Sequence, residues 1–167
     1  MELKRFLEEK RPLILERWFQ RLLEEYPSEG REFISNIKKD RFDNPLGFTL
    51  FEGLEGLFDH LLHKKDLNGS LDTFIKLRAV QEFKPSQAVG FIFALKDIIY
   101  KELCSHHDKA LMEEFLVFSS EIDLLALRLF DSYMESRERL NEVKVNELRN
   151  MTAWILKKVN ILKEYPE

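Results

Sequence analysis

The chain has 167 residues, the size of a single domain, and a chain of this length buries about 70% of its unfolded surface. Its composition, 44% apolar and 34% charged, is that of a globular protein. A net charge of −4 argues against nucleic acid as the main partner, because nucleic-acid-binding proteins usually carry an excess of basic residues. No apolar run reaches the ~18 residues of a membrane span, the N-terminus lacks a signal peptide, and one cysteine excludes an internal disulfide. We therefore expect a cytoplasmic protein.

Apolar residues recur at helical spacing, not in alternation, through the first half of the chain. After a short lead-in, the predicted helices cover about 12–26, 33–41, 45–63 and 71–83. Asn44 followed by Pro45 is a helix start, since asparagine caps the helix and proline fits its first turn. Ser70 is expected to cap the helix that follows it.

The second half of the chain predicts longer helices. One begins at Pro85, and Asp108 is placed to cap the next. No glycine or proline occurs between Phe91 and Tyr165, and residues 137–163 would form a rod of about 40 Å. We expect an all-α fold, with a helical bundle over 1–136 and an extended C-terminal helix over 137–167. A narrow apolar stripe indicates that this helix either packs back on its own bundle or pairs with a second copy. Pairing would use Val145, Leu148, Met151, Ile155, Val159 and Leu162.

Two arginines stand among apolar residues of predicted helices. Arg78 lies in the helix over 71–83, and a buried guanidinium needs a partner because an unpaired buried charge is costly. An ion pair with Asp97, Glu82 or Asp123 would make Arg78 structural. Alternatively, Arg78 would hold a carboxylate ligand or a carboxylate that switches partners. Arg128 has the same two interpretations.

A second candidate site lies on the helix that begins at Pro45. Thr49, Gly53, Gly56 and His60 fall on nearly one line of that helix, together with His63. Two glycines inside a helix cost about 1 kcal/mol each relative to alanine, so another interaction should offset them. Close approach of a second helix would do so. The alternative is a groove with His60 at its floor, which would hold a tetrapyrrole or another flat ligand and make the protein a carrier.

The remaining chemistry-bearing residues indicate neither a metal nor catalysis. The four histidines lack the repeated Glu-x-x-His pattern of metal-binding helical bundles, so we expect no metal and no cofactor. A lone helical cysteine such as Cys104 is usually a small buried hydrophobic residue. The chain contains no nucleophile elbow, P-loop, HExxH or dinucleotide fingerprint. We therefore expect that the protein is not an enzyme.

Five short segments resemble one protein family. They are 14–19 (ILERWF), 44–48 (NPLGF), 77–81 (LRAVQ), 83–89 (FKPSQAV) and 145–149 (VNELR). In these segments the chain resembles the N-terminal domain of RsbRD-type proteins, the RsbT co-antagonist group of bacterial stress signalling. The resemblance covers most of residues 10–135.

This resemblance implies a sensory or regulatory input domain. In stressosome proteins such a domain is all-helical, in some relatives globin-like without haem, and it dimerises ahead of a STAS output domain. Because the chain stops at Glu167, we expect a free-standing input domain without a STAS domain. An RsbT-like kinase would then have no evident target in this chain. The signal would be a ligand or a protein partner.

Overall fold

A computed structural model describes residues 2–36, 42–67, 69–81, 83–106 and 108–164, without the side chains of Ser70 and of 161–164. Within these residues the chain is all-α, as predicted, and contains no β-strand. The described helices are α1 (Glu2–Glu9), α2 (Arg11–Leu23), α3 (Ser28–Ser35), α4 (Pro45–His63), α5 (Gly69–Val80), α6 (Pro85–His106) and α7 (Lys109–Glu164). None of them combines the length and the apolarity of a membrane-spanning segment.

The bundle is built around α6 and α7, which pack along each other. α2 packs against α6 and α4, and α5 lies between α4 and α7. Aromatic side chains fill the core: the Trp18 ring stacks on Phe91, and the Trp18 indole nitrogen donates a hydrogen bond of 2.8 Å to the Phe91 carbonyl. The Phe74 ring meets Phe91 edge-on, at 5.4 Å between ring centres. These contacts join α2, α5 and α6 in one core.

Two predicted helix caps are confirmed. The Asn44 side chain accepts a hydrogen bond of 2.9 Å from the Gly47 amide, and its own amide donates to the carbonyls at the end of α3. Asn44 is completely buried and therefore fixes α3 to the start of α4. Asp108 accepts a hydrogen bond of 2.9 Å from the Ala110 amide at the start of α7. Both caps satisfy amides that a helix start leaves without intrahelical partners.

Two predicted helices have different bounds in the structure. α5 begins at Gly69, so Ser70 lies in its first turn and is not its cap, and α5 ends at Val80 instead of continuing to residue 83. It ends early because Phe83 turns back over the bundle, where its ring meets Tyr26 edge-on at 5.4 Å. The helix predicted over 33–41 is α3, which ends at Ser35, and residues 37–41 lie outside the described part of the chain.

Two predictions of burial were wrong. Cys104 is exposed, because it faces outward on α6 while its neighbour Leu103 faces the core. Arg128 is exposed on α7, beside the core-facing Leu129, so its charge is in contact with solvent and needs no buried partner. Residues 137–163 are helical, as predicted, and they form the second half of α7, one continuous helix of 56 residues and about 84 Å.

Candidate functional site

Arg78 on α5 is completely buried and joins three parts of the bundle. Its guanidinium forms an ion pair with the carboxylate of Glu25, in the turn after α2. It also donates hydrogen bonds to the Gln87 carbonyl in the first turn of α6, at 2.9 Å, and to the Tyr26 hydroxyl, at 3.3 Å. Arg78 therefore connects the end of α2, α5 and the start of α6.

Aromatic rings surround the same guanidinium. Its central carbon lies 4.2 Å from the centre of the Phe83 ring, 5.6 Å from that of Phe91 and 5.8 Å from that of Tyr26. Aromatic faces attract cations, so these rings supply part of the compensation that a buried charge requires. The Arg78 Nε has no hydrogen-bond partner among the described residues.

The predicted structural role of Arg78 agrees with this geometry, but its partner is different. Asp97 lies elsewhere on α6, and the Asp123 carboxylate pairs with Lys96 at 2.5 Å. Glu82, the third predicted partner, lies outside the described residues. The actual partner, Glu25, is 53 residues away in the sequence, and only the fold brings the two together.

Burial controls the ionisation of the two acidic groups beside Arg78. Burial raises the pKa of Glu25, although the charge and the hydrogen bond of Arg78 act in the opposite direction. Burial also raises the pKa of the Tyr26 hydroxyl, which donates a hydrogen bond of 2.7 Å to Gln81. The phenol therefore remains neutral at physiological pH, and the site holds one carboxyl group against one guanidinium. Such a pair acts as a strut between helices.

The end of α5 also fixes the point where α7 leaves the bundle. The Tyr133 hydroxyl donates a hydrogen bond of 2.7 Å to the Phe83 carbonyl, and the Arg137 guanidinium donates one of 2.9 Å to the Ala79 carbonyl. Sequence reasoning missed both residues. A hydroxyl within the apolar stripe of α7 was the available signal, because a buried tyrosine hydroxyl usually needs a partner.

An open cavity of about 500 Å³ reaches the carboxylate of Glu25 from outside the bundle. Its walls come from the end of α2 and from α6, and they include Glu24, Gly90 and Phe93. Asp97 lies on this wall. The cavity gives solvent access to the acidic member of the buried ion pair.

The predicted ligand face of α4 packs against α5. A side-chain carbon on Gly53 would lie 2.5 Å from the Phe74 ring, so Phe74 occupies the space that the glycine leaves. Thr49, Gly56 and His60 are half-buried, and the His60 Nδ1 lies 2.6 Å from the Lys65 carbonyl oxygen. None of the contacts described for Arg78 involves this face. A flat ligand at Gly53 would have to displace Phe74, and ligand binding at these residues stays a prediction.

A cavity of about 530 Å³ lies elsewhere on α4, where that helix meets α2. Apolar side chains including Leu15, Phe19 and Phe51 line it, and Glu55 forms part of its wall. Burial raises the pKa of Glu55. Sequence analysis did not find this cavity, because its walls come from residues that are about 40 positions apart.

A carboxylate of α4 next to this cavity is held by two cations. Asp59 accepts hydrogen bonds from Arg11, at 2.5 Å, and from Lys65, at 2.8 Å. Burial acts to raise the pKa of Asp59, but the two hydrogen-bonded cations outweigh it, and the pKa lies below its usual range. Within the described residues no group of three or more His, Cys, Asp or Glu is placed to hold a metal.

The predicted dimerisation residues lie on the outside of α7. Val145, Leu148, Met151, Ile155 and Val159 are all exposed, and Leu148 keeps 63% of its accessible surface. Leu162 also belongs to α7, but its side chain lies outside the described part of the structure. α7 therefore carries an unpaired apolar stripe after it leaves the bundle.

The chain was compared with known protein families, with curated proteins and with solved structures. The profile of the family described as "RsbT co-antagonist protein rsbRD N-terminal domain" matches residues 12–148. Comparisons with curated proteins and with solved structures each give no match. The matched range covers α2 to α6 and continues into α7 beyond its contacts with the bundle. The chain therefore belongs to the family of RsbT co-antagonist rsbRD N-terminal domains.

Proposed function

We propose that this chain is a non-enzymatic regulatory domain of stressosome-type signalling, which pairs with a second copy through α7. A ligand or a protein partner would act on the bundle, and α7 would carry the response away from it. Membership of the rsbRD N-terminal family supports the signalling role. The observation that carries the proposal is the apolar seam on the exposed half of α7. A single exposed thiol, Cys104, supports a reducing compartment, and we propose the cytoplasm.

The seam follows a heptad repeat, the pattern of helices that coil around each other. Val145, Thr152 and Val159 take the first apolar position, called a, while Leu148 and Ile155 take the second, called d. β-Branched residues at a with leucine at d, as at Val145 and Leu148, favour two parallel strands, whereas Ile155 departs from leucine at d. The seam therefore favours a homodimer, in which each copy covers the same residues of the other.

The same heptad register continues upstream along the outer face of the bundle. Leu124 stands at a, and Leu127 and Met134 stand at d; all three are exposed. The a position between Leu127 and Met134 is Asp131, which is also exposed. Polar residues occupy the positions between the two apolar segments, with Glu138 at a and Asn141 at d. From Leu124 to Val159 the register spans about 53 Å. Because one continuous helix carries both segments, a dimer paired along it would couple the bundles to the tails.

A substitution in the seam and a matched control outside it test the dimer. Leu148→Asp places a charge in the seam, whereas Val143→Asp places the same charge at an exposed position outside it. We expect light scattering to show a dimer for the unchanged chain and for Val143→Asp, and a monomer for Leu148→Asp. A monomeric unchanged chain, or a Leu148→Asp variant as dimeric as Val143→Asp, would discard this role of α7.

A further inference from the structure

A second apolar strip runs along α7 outside the seam. It consists of Leu140, Val143, Met151 and Trp154, and we call it the Trp154 strip. Trp154 retains 58% of its accessible surface, and Val143 and Met151 are also exposed. In the heptad register Val143 and Trp154 stand at f and c, positions that a two-stranded coiled coil leaves in solvent. Pairing with a second copy would therefore leave these two residues uncovered.

The strip begins in a groove of the bundle. Where α7 passes the end of α5, Val80, Leu140 and Val143 line a groove of about 280 Å³. From Leu140 the strip continues for about 21 Å to Trp154, which is roughly four helical turns. Glu147 separates Val143 from Met151 on this face, so the strip has two exposed apolar parts. Exposed apolar surface of this kind marks an interaction site, and an amphipathic helix recognises such a surface through residues on one face.

Basic side chains border both ends of the Trp154 strip. Lys76 and Arg139 stand at the groove, although each also lies near an acidic residue one turn away on its own helix. At the other end, the Lys158 ammonium lies 4.2 Å from the centre of the Trp154 ring, and Lys157 precedes it in the sequence.

The charge of the tail differs in sign from that of the whole chain. Residues 137–167 contain seven lysines and arginines against five acidic residues, while the complete chain has a net charge of −4. Two acidic residues, Glu142 and Glu147, and two basic residues, Lys144 and Arg149, lie in the part of α7 that the strip follows, so its excess of positive charge comes from its two ends. Because like charges repel, the strip of a second copy is a poor partner for this surface, whereas an acidic partner complements it.

We infer that the Trp154 strip docks an amphipathic helix of a different protein, whose apolar face is flanked by acidic residues. The inference rests on the proposed function. In the proposed dimer a second copy covers the seam, and the Trp154 strip is then the apolar surface of the tail that stays exposed. The partner would contact Val143 and Trp154 with its apolar side chains and the lysines with its carboxylates.

A labelled synthetic peptide is the probe for this inference. It forms a helix with leucines on one face and glutamates on both flanks; one matched control carries lysines in place of the glutamates, and a second has a scrambled order. Fluorescence anisotropy of each peptide is measured with the full chain and with Val143→Asp, Trp154→Ala, a Lys157→Glu/Lys158→Glu double variant, and Leu148→Asp. Circular dichroism checks that each variant remains helical.

We expect the glutamate peptide to bind at least about tenfold more tightly than either control peptide, a difference of about 1.4 kcal/mol. Val143→Asp, Trp154→Ala and the double lysine variant should each remove that preference, while Leu148→Asp should retain it. Equal binding of the lysine peptide, no binding of the glutamate peptide, or equal affinity in the Trp154→Ala variant would overturn the inference. Vesicles of phosphatidylglycerol that bind the chain and displace the peptide would identify a membrane surface instead. Light scattering on the same variants reports failure of the dimer separately.

Discussion

Replacing Glu25 by alanine tests the role of Arg78 as a buried strut. The substitution leaves the completely buried guanidinium of Arg78 without its acidic partner, and loss of one member of a buried pair costs about 3–5 kcal/mol. Glu25 retains 20% of its side-chain exposure, and a cavity admits water beside it, so the lower end of that range applies. We expect the free energy of unfolding to fall by about 3 kcal/mol.

The neighbouring residue supplies the matched control. Glu24 also pairs with an arginine, Arg21, but both side chains of that pair are more than half exposed. An exposed ion pair contributes about 0–1 kcal/mol, so Glu24→Ala should change stability little. Urea unfolding followed by far-UV circular dichroism gives both values. The protein concentration must be held constant, because the proposed dimerisation would make the apparent stability depend on it.

A double-mutant cycle separates the ion pair from other effects of Glu25. Arg78→Met removes the buried charge and retains an apolar side chain of similar length. In this background Glu25→Ala should cost less than about 1 kcal/mol, because no unpaired guanidinium remains. The reasoning is refuted if Glu25→Ala costs the same with and without Arg78, or if Glu24→Ala and Glu25→Ala are equally destabilising.

Two further substitutions test the electrostatics and the packing of α4. Asp59→Asn should destabilise the protein at pH 7. Because the folded pKa of Asp59 lies below its unfolded value of 3.8, the stability difference should decline as the pH falls below about 3.8; urea unfolding at several pH values measures it. Gly53→Ala should destabilise by about 1–3 kcal/mol through overlap with Phe74. Gly90→Ala, whose added carbon would meet no atom within 4 Å, should stabilise by up to about 1 kcal/mol, and urea unfolding measures both glycine variants.

Local chemistry made several elements of the fold predictable. Asn44 and Asp108 cap helices through hydrogen bonds to amides two or three residues away, so a short stretch of sequence contains the whole interaction. The end of α5 could not be predicted in this way. It depends on Phe83 packing against Tyr26, a residue distant in the sequence, and this tertiary contact overrides the helical pattern that continues past Val80.

In the candidate sites, too, the local sequence indicated which residues need a partner, but only the fold shows which partner they have. The chemistry of Arg78 required a partner, but the identity of Glu25 depends on how the turn after α2 meets α5. The glycine line of α4 required either a neighbouring helix or a ligand, and only the position of Phe74 shows what fills the space beside Gly53. The upstream seam on α7 was missed because its apolar residues alternate with the core-facing ones, which makes the helix apolar on two sides.

The buried ion pair of Arg78 is connected by hydrogen bonds to the part of α7 that leaves the bundle and carries the seam. The carbonyl of Ala79, the residue after Arg78, accepts a hydrogen bond from Arg137, and the carbonyl of Phe83, whose ring covers the guanidinium, accepts one from Tyr133. A change that moves the end of α5 must therefore alter two hydrogen bonds that orient α7. Because α7 is one continuous helix, such a change at the bundle would alter the direction of its tail and with it the geometry of the proposed dimer. A ligand that disturbs the buried ion pair could therefore change the geometry of the proposed dimer without contacting α7.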